Sequence, residues 1–531
     1  MKASRQGVLA GLSLFVFVAA VYLPSVRYGF IYDDPVLFAN TPVLRSPGAY
    51  AELFTQSHFS YLPYYRPVAR ATFELQKLVH GARPGLFHLF NALAAGALAL
   101  AAWRVLLRPV FRVREPFAWL GAALFAVLPV ASSTVYPPTG RETLLSSALL
   151  LCAVASFLRP GGRWLALAAL AFATGLLCHE QAIVLPALLI VVDAARGRGE
   201  EPFVRRAARH VPLALVALVY LVARSRALAG APAPELALFD RPSGPLISLG
   251  YALTSIFAPP PGLVYEPPLE IWATPTRLVV AGAATTALLV AVVARRKELG
   301  PVPLACAAWL VIALAPSANV LVQETPFAER WICLGSFGVV ALCAALASTG
   351  KPVASGGSPR SWPRSVRLCG AGSLVVIVVA ASFSVRRGFD HADNRTFLTR
   401  WVVTNPESAQ ARSSLGALLH GEGDVRAAEV HLRRAIQINP AFADAHGSLG
   451  ALLLIDNRLD EALPHLELAA RLNPSQAIYQ ANLGSGLGRV GRYDEAERCL
   501  VRALQLEPGY PAAQRALTEV RRLRREAQGG G

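Results

Sequence analysis

Apolar residues in this chain fall in blocks too long and too continuous to be one face of a soluble helix. They run over residues 7–24, 91–107, 117–135, 143–158, 164–178, 181–195, 211–224, 278–294, 302–316, 332–348 and 373–385. A helix needs about 20 such residues to cross a bilayer, so the pattern predicts about eleven spans. The block at 246–258 is shorter and runs into Pro259, Pro260 and Pro261, and it reads as re-entrant as readily as crossing. Lys2 and Arg5 precede the first block, the charge pattern of a signal peptide on a segment long enough to span, which reads as an uncleaved anchor. The predicted first unit is therefore a polytopic helical membrane domain over residues 1–390, with a large loop at 27–87.

Beyond residue 390 the pattern becomes amphipathic, with a lead-in at 391–408. Asn405-Pro406, Asn439-Pro440, Asn473-Pro474 and Glu507-Pro508 recur every 34 residues, the period of tetratricopeptide (TPR) repeats. Small residues fall in register: Gly416, Ala428 and Ala435, then Gly450, Ala462 and Ala469, then Gly484, Ala496 and Ala503. Three helix pairs at 409–442, 443–476 and 477–510 and a capping helix at 511–528 are expected. The fold class is all-α, a membrane bundle followed by a soluble TPR α-solenoid whose groove suits an acceptor polypeptide.

Composition agrees with the membrane reading. The 531 residues are 54% hydrophobic and only 16% charged. The net charge of +17 would suggest nucleic acid in a soluble protein, but the arginines gather in short loops at 104–114, 159–163, 196–209, 295–297 and 351–367. Such loops stay cytoplasmic, so nucleic-acid binding is excluded and membrane lipid is the expected surroundings. The alternation puts the 27–87 loop, the turns at 137–142 and 179–180, the 317–330 loop and the TPR array on the extracytoplasmic face. Arg224 and Arg226 end the seventh block on that face against the charge rule, so either that boundary lies elsewhere or an anion there compensates them. Four lysines against 47 arginines favour a bacterial inner membrane over endoplasmic reticulum. The seven cysteines show no metal-ligand spacing and read as small core residues.

Ionisable groups at the apolar layer are costly unless they work, and several converge on the extracytoplasmic side. Asp33 and Asp34 follow the first block and suit a general base, or simply an Asx turn before Pro35. Arg66 suits a phosphate, and His88 stands one turn before Asn91. Gly140-Arg141-Glu142 reads equally as an outer ion pair or a substrate contact. Glu180, after His179, sits between two apolar blocks with almost no loop. Glu329 and Arg330 precede the block at 332–348.

Taken in order, Tyr32-Asp33-Asp34, Tyr64-Tyr65-Arg66-Pro67, His88 with Asn91, Gly140-Arg141, Glu180 with Leu185-Pro186, and Pro316, Asn319 and Ala328-Glu329-Arg330 resemble the membrane-integral GT-C glycosyltransferases that carry TPR repeats. These include the transmembrane and TPR-containing O-mannosyltransferases of animals and their bacterial relatives. The chain departs from that pattern at Leu128-Pro129-Val130-Ala131-Ser132-Ser133, where the family has a His-Pro-x-His-Thr-Glu stretch, and at His179, where it has Lys. The resemblance implies an inverting transfer of one mannose-like hexose from a polyprenyl-phosphate sugar to a protein Ser or Thr hydroxyl. It further implies Asp33 or Asp34 as base, with Arg66, His88, Asn91, Arg141, Glu180, Arg224, Glu329 and Arg330 around the substrate and its phosphate, and no cofactor. Two other readings stand beside it: an inactive membrane-anchored TPR scaffold, and a transporter, which would place its charges in mid-span. The charge alternation is testable alone: a reporter fused after Gly531 should be active only outside the cytoplasm, and cytoplasmic activity would overturn the span count.

Overall fold

The structure is a computed structural model that describes residues 5–32, 34, 37–38, 43–55, 64–196, 202–229, 244–257, 276–315, 329–348 and 364–529. Among these residues the regular structure is all helical. The chain divides into two compact units, Met1–Asn394 and Arg395–Gly531.

The first unit contains α1 (Arg5–Tyr22), α2 (Pro47–Glu52), α3 (Pro67–His80), α4 (Pro84–Ala101), α5 (Phe117–Val127), α6 (Pro129–Val135), α7 (Arg141–Phe157) and α8 (Gly162–Cys178). It continues with α9 (Leu185–Arg196), α10 (Phe203–Ala227), α11 (Gly244–Phe257), α12 (Thr276–Ala294), α13 (Arg296–Leu299), α14 (Pro301–Leu314), α15 (Glu329–Ala347) and α16 (Arg364–Phe389). Every apolar block of the sequence is helical in whole or large part. Among the described residues five helical stretches are long and apolar enough to cross a bilayer on their own: Arg5–Arg27, Pro84–Leu107, Pro138–Phe157, Val204–Ala227 and Val366–Phe389. The bent pair α5 and α6 makes a sixth. Their outward faces are apolar, as Leu9, Leu12 and Val16 on α1 and Val375, Val376 and Val379 on α16 show. The unit is a multi-pass membrane domain. The block at 181–195 differs from expectation, because Glu180–Val184 is a 3-10 turn and only Leu185–Arg196 continues as α-helix.

Basic loops meet at one end of the bundle. Arg104 on the α4 extension donates to the Gly7 carbonyl, Arg112 to that of Arg196 at 3.2 Å, and Arg209 to that of Phe157.

The opposite end is shaped by a break. Pro129 disfavours the helical conformation of the residue before it, and Leu128 sits at ψ 142° while α5 and α6 diverge by 58°. Carbonyls freed in an apolar layer cost several kcal/mol each unless they are paired. Carbonyls beside the break take side-chain donors: Tyr22 Oη to Ala126 at 2.7 Å, Ser384 Oγ to Val127 at 2.8 Å, and Arg387 Nη1 at 3.2 Å with Ser132 Oγ at 2.5 Å to Pro129. Past α6, Asn91 Nδ2 lies 3.2, 2.9 and 3.4 Å from the carbonyls of Val135, Pro137 and Pro138. A Cβ at Gly140 would overlap the Thr134 carbonyl, so only glycine allows α7 to start where it does.

In the second unit α17 (Asn394–Thr404) leads into the pairs α18 (Ala409–Gly421) and α19 (Val425–Ile438), α20 (Ala443–Ile455) and α21 (Leu459–Leu472), and α22 (Ala477–Arg489) and α23 (Tyr493–Leu506). The last helix is α24 (Pro511–Gly529). Ala428, Ala462 and Ala496 are fully buried. A Cβ on Gly416, Gly450 or Gly484 would stand 2.7, 2.6 or 2.7 Å from Leu432, Leu466 or Leu500. The same register position donates to a proline carbonyl at the preceding turn: Arg412 to Pro406 at 2.6 Å, His446 to Pro440 at 3.0 Å and Gln514 to Pro508 at 3.1 Å. This is a TPR solenoid held by glycine-on-leucine contacts. Gly450→Ala should therefore destabilise α20 and α21 by about 1–3 kcal/mol, read as faster amide hydrogen exchange there in the full chain. Unchanged protection would refute the close packing.

Candidate active site

At the end of the first unit opposite the basic loops, three distant segments meet through one guanidinium. Arg66 precedes Pro67 at the start of α3, Glu142 lies in the first turn of α7, and Glu180 opens the 3-10 turn after α8. Arg66 Nε and Nη2 donate to Glu180 Oε2 and Oε1 at 2.9 and 2.6 Å, while Nη1 donates to Glu142 Oε2. The three side chains are 6–9% exposed. The Tyr64 ring lies 4.4 Å from the guanidinium carbon, an attractive arrangement for a cation. Ser146 Oγ reaches the carbonyls of Gly175 and His179 at 3.1 and 3.4 Å, fixing α7 against the end of α8.

Burial alone would raise the Glu180 carboxyl, but Arg66 and then His179 overcome it and hold the group well below the usual carboxylate range. Burial would likewise favour loss of the Arg66 proton, and Glu180 and Glu142 reverse that, so the guanidinium is held above its ordinary value.

Arg141, one residue before Glu142, points elsewhere. Its guanidinium carbon lies 4.7, 5.3 and 4.2 Å from the ring centres of Phe73, Phe87 and Phe90. Its Nη2 donates to Gln76 Oε1, and the residue is 1% exposed. Among the described residues no carboxylate pairs with it, and its Nε has no partner. The outer ion pair considered for Arg141 and Glu142 is thus not formed, because consecutive helical residues point in directions about 100° apart.

The other predicted residues are distributed around this centre. Asp34 is 1% exposed and its Oδ2 accepts from the Ile31 amide at 3.0 Å, closing a turn that holds Tyr32 at φ 48°, a strained value for a bulky residue. Asp33 lies outside the described residues. His88 Nε2 is 3.1 Å from the Gly29 carbonyl, and Asn91 holds the three carbonyls before Gly140, so both are engaged with backbone. Arg224 lies in the last turn of α10, one turn beyond Tyr220. Glu329 and Arg330 are the first residues of α15, and their side chains lie outside the described residues.

Glu142 was considered only together with Arg141, and Tyr220 was not singled out. Tyr220 is 5% exposed with its ring 6.1 Å from that of Tyr65, and the charges of Glu180, Arg224 and Arg66 all act on its hydroxyl. That hydroxyl has no hydrogen-bond partner among the described residues. Among the described residues no group of three His, Cys, Asp or Glu is placed to hold a metal ion.

Fold and site together define a multi-pass helical membrane protein with a TPR solenoid and a buried arginine–carboxylate network at one end of its bundle. No protein-family model matches the chain. In sequence it is similar to "Protein O-mannosyl-transferase TMTC3" of Mus musculus, 28% identical over 197 residues that make up 34% of this chain and 21% of that one. The Drosophila melanogaster "Protein O-mannosyl-transferase Tmtc3" is 26% identical over 230 residues, 36% and 24% of the two chains. The Homo sapiens "Protein O-mannosyl-transferase TMTC1" is 31% identical over 170 residues, 30% and 18%. The chain spans about a fifth of the length of these curated relatives. The likeness is to the family that the motifs point to. Among solved structures, "Crystal structure of APC/C hetero-tetramer Cut9-Hcn1" matches at 14% identity over 90% of this chain and 99% of that one, with a TM-score of 0.26.

Removing one partner of a buried ion pair strands the other and costs about 3–5 kcal/mol. Arg66→Ala should lower thermal stability to that extent at neutral pH. Arg66→Lys should recover only part of it, since an ammonium lacks the planar fork. Because Glu180 is held below its ordinary value of 4.5, its contribution is complete above that pH and falls away as the medium is acidified below it. The gap between native and Arg66→Ala melting temperatures should narrow at pH 4, and a gap independent of pH would show that Glu180 carries no such linkage.

Proposed function

We propose that the protein is a membrane-integral glycosyltransferase. It moves one mannose-like hexose, with inversion, from a polyprenyl-phosphate-linked donor to a Ser or Thr hydroxyl of a polypeptide on the extracytoplasmic face. The observation that carries this reading is Arg141: a buried guanidinium with no carboxylate partner among the described residues, at the start of α7. A full positive charge in an apolar setting calls for an anion, and a helix N-terminus adds its own donors and dipole. A phosphate delivered from the lipid layer meets both requirements. The named activity of the similar proteins supports the same class of reaction.

In this scheme the acceptor oxygen attacks the anomeric carbon, its proton passes to Asp33 or Asp34, and the bond from that carbon to the phosphate oxygen breaks. The electron pair leaves on polyprenyl phosphate, whose charge Arg141 stabilises. Arg66, bracketed by Glu142 and Glu180, organises the site more than it binds phosphate. The TPR groove would hold the acceptor polypeptide, and a bacterial inner membrane fits the arginine-rich composition.

The test is sugar transfer from labelled polyprenyl-phosphate hexoses in membranes holding the native chain, Asp33→Asn, Asp34→Asn or Arg141→Gln at matched expression. Native transfer that falls about 100-fold or more with one of the acidic substitutions, and a raised donor KM in Arg141→Gln, is the expected result. No transfer from any donor, or transfer indifferent to both acidic substitutions, would overturn the reading in favour of a membrane-anchored scaffold.

A further inference from the structure

The two clusters on α7 differ in charge, and the difference bears on what each takes. Arg66, Glu142 and Glu180 carry one positive and two negative charges, so the network is net negative. Counting Arg224, whose charge reaches Tyr220 one turn before it, balances the two carboxylates while the neighbouring His179 ring is neutral. Arg141, one residue away, holds a positive charge with no carboxylate against it among the described residues. A phosphate at the first cluster would meet like charge with nothing gained, whereas at the second it meets an unopposed cation. What the first cluster does offer is hydrogen bonding. Arg66 fills one acceptor position on each Glu180 oxygen, and an ionised carboxylate has about four. Tyr220 adds a hydroxyl that is buried and unpartnered among the described residues. Burying such a group without a bond is unfavourable, and beside Glu180 a ligand hydroxyl could complete it.

Building on the transferase reading above, we propose that Glu180 and Tyr220, held by the Arg66 network, form the subsite for the neutral sugar of the donor, while its phosphate lies at Arg141. Glu180 accepts from sugar hydroxyls and the Tyr220 hydroxyl bonds a sugar oxygen. Arg141 and Glu142 are consecutive at the start of α7, so a donor with its phosphate at Arg141 would reach across that helix start to the network that Glu142 joins.

Tyr220→Phe separates this from a structural role. Its hydroxyl makes no bond within the described protein, so the substitution should leave the melting temperature unchanged or slightly raised. Binding is measured with two probes, polyprenyl phosphate and the same lipid carrying mannose, for the purified full chain and for the variant. The native chain should bind the mannose-bearing lipid more tightly. Tyr220→Phe should weaken that lipid about fivefold, the equivalent of one neutral hydrogen bond, and leave polyprenyl phosphate unaffected. Equal weakening of both lipids would assign Tyr220 to the phosphate and overturn the proposal, as would no weakening of either. A native chain that binds both lipids equally would overturn the sugar subsite while sparing the phosphate site at Arg141. Binding of neither probe would remove the transferase reading itself, and the subsite with it.

Discussion

A helix that breaks inside an apolar layer must supply donors for the carbonyls it exposes, and much of the first unit is arranged around that requirement. At Leu128 and Pro129 the donors come from α1 and α16, through Tyr22, Ser384 and Arg387, so the first and last helices of the unit are tied to its middle. At the other end of α6 a single amide, Asn91, gathers three carbonyls. The position of Gly140, and therefore of Arg141 and Glu142, follows from these bonds. Side chains inside the bundle thus have a backbone duty that fixes the chemistry at its end.

That chemistry is sorted by direction. Because successive helical residues diverge, Arg141 enters a phenylalanine pocket lined from α3 and α4 while Glu142 turns to Arg66. One helix start thus serves two environments of different charge. The Arg66 fork then joins segments 76 and 114 residues away in sequence and gives the 3-10 turn after α8 a fixed seat.

The TPR array was legible in the sequence because its constraint is local and repeated: a glycine must face a leucine once per 34 residues, and proline must close each second helix. The helical blocks of the membrane unit were legible for a similar reason, since lipid demands length and apolarity. Their interruptions were less so. The block at 181–195 looks continuous in hydropathy, yet Glu180 anchors a 3-10 turn there because its carboxylate is held by Arg66. Arg66 and Glu180 stood out singly as charges out of place, but nothing in one sequence says that they meet or that Glu142 joins them. Tyr220 was hidden within an apolar run, where a tyrosine reads as an interfacial anchor. His88 and Asn91 stood out as polar groups in an apolar helix, and what they bond in the structure is the protein's own backbone.

The sheath of Phe73, Phe87 and Phe90 around Arg141 carries a consequence of another kind. Mobile ions in the medium shield charges they can surround, and three rings leave them little room to do so here. An anion seated there would hold its attraction across wide changes in ionic strength, but it must arrive stripped of much of its hydration. Small, tightly hydrated anions are thereby disfavoured against a phosphate that already travels on a greasy chain. The exposed arginine–glutamate pairs of the solenoid, such as Arg458 with Glu461, lie at the other extreme and soften as salt rises. The two units of one chain thus answer to different variables of their surroundings, the first to the composition of the lipid and the second to that of the water.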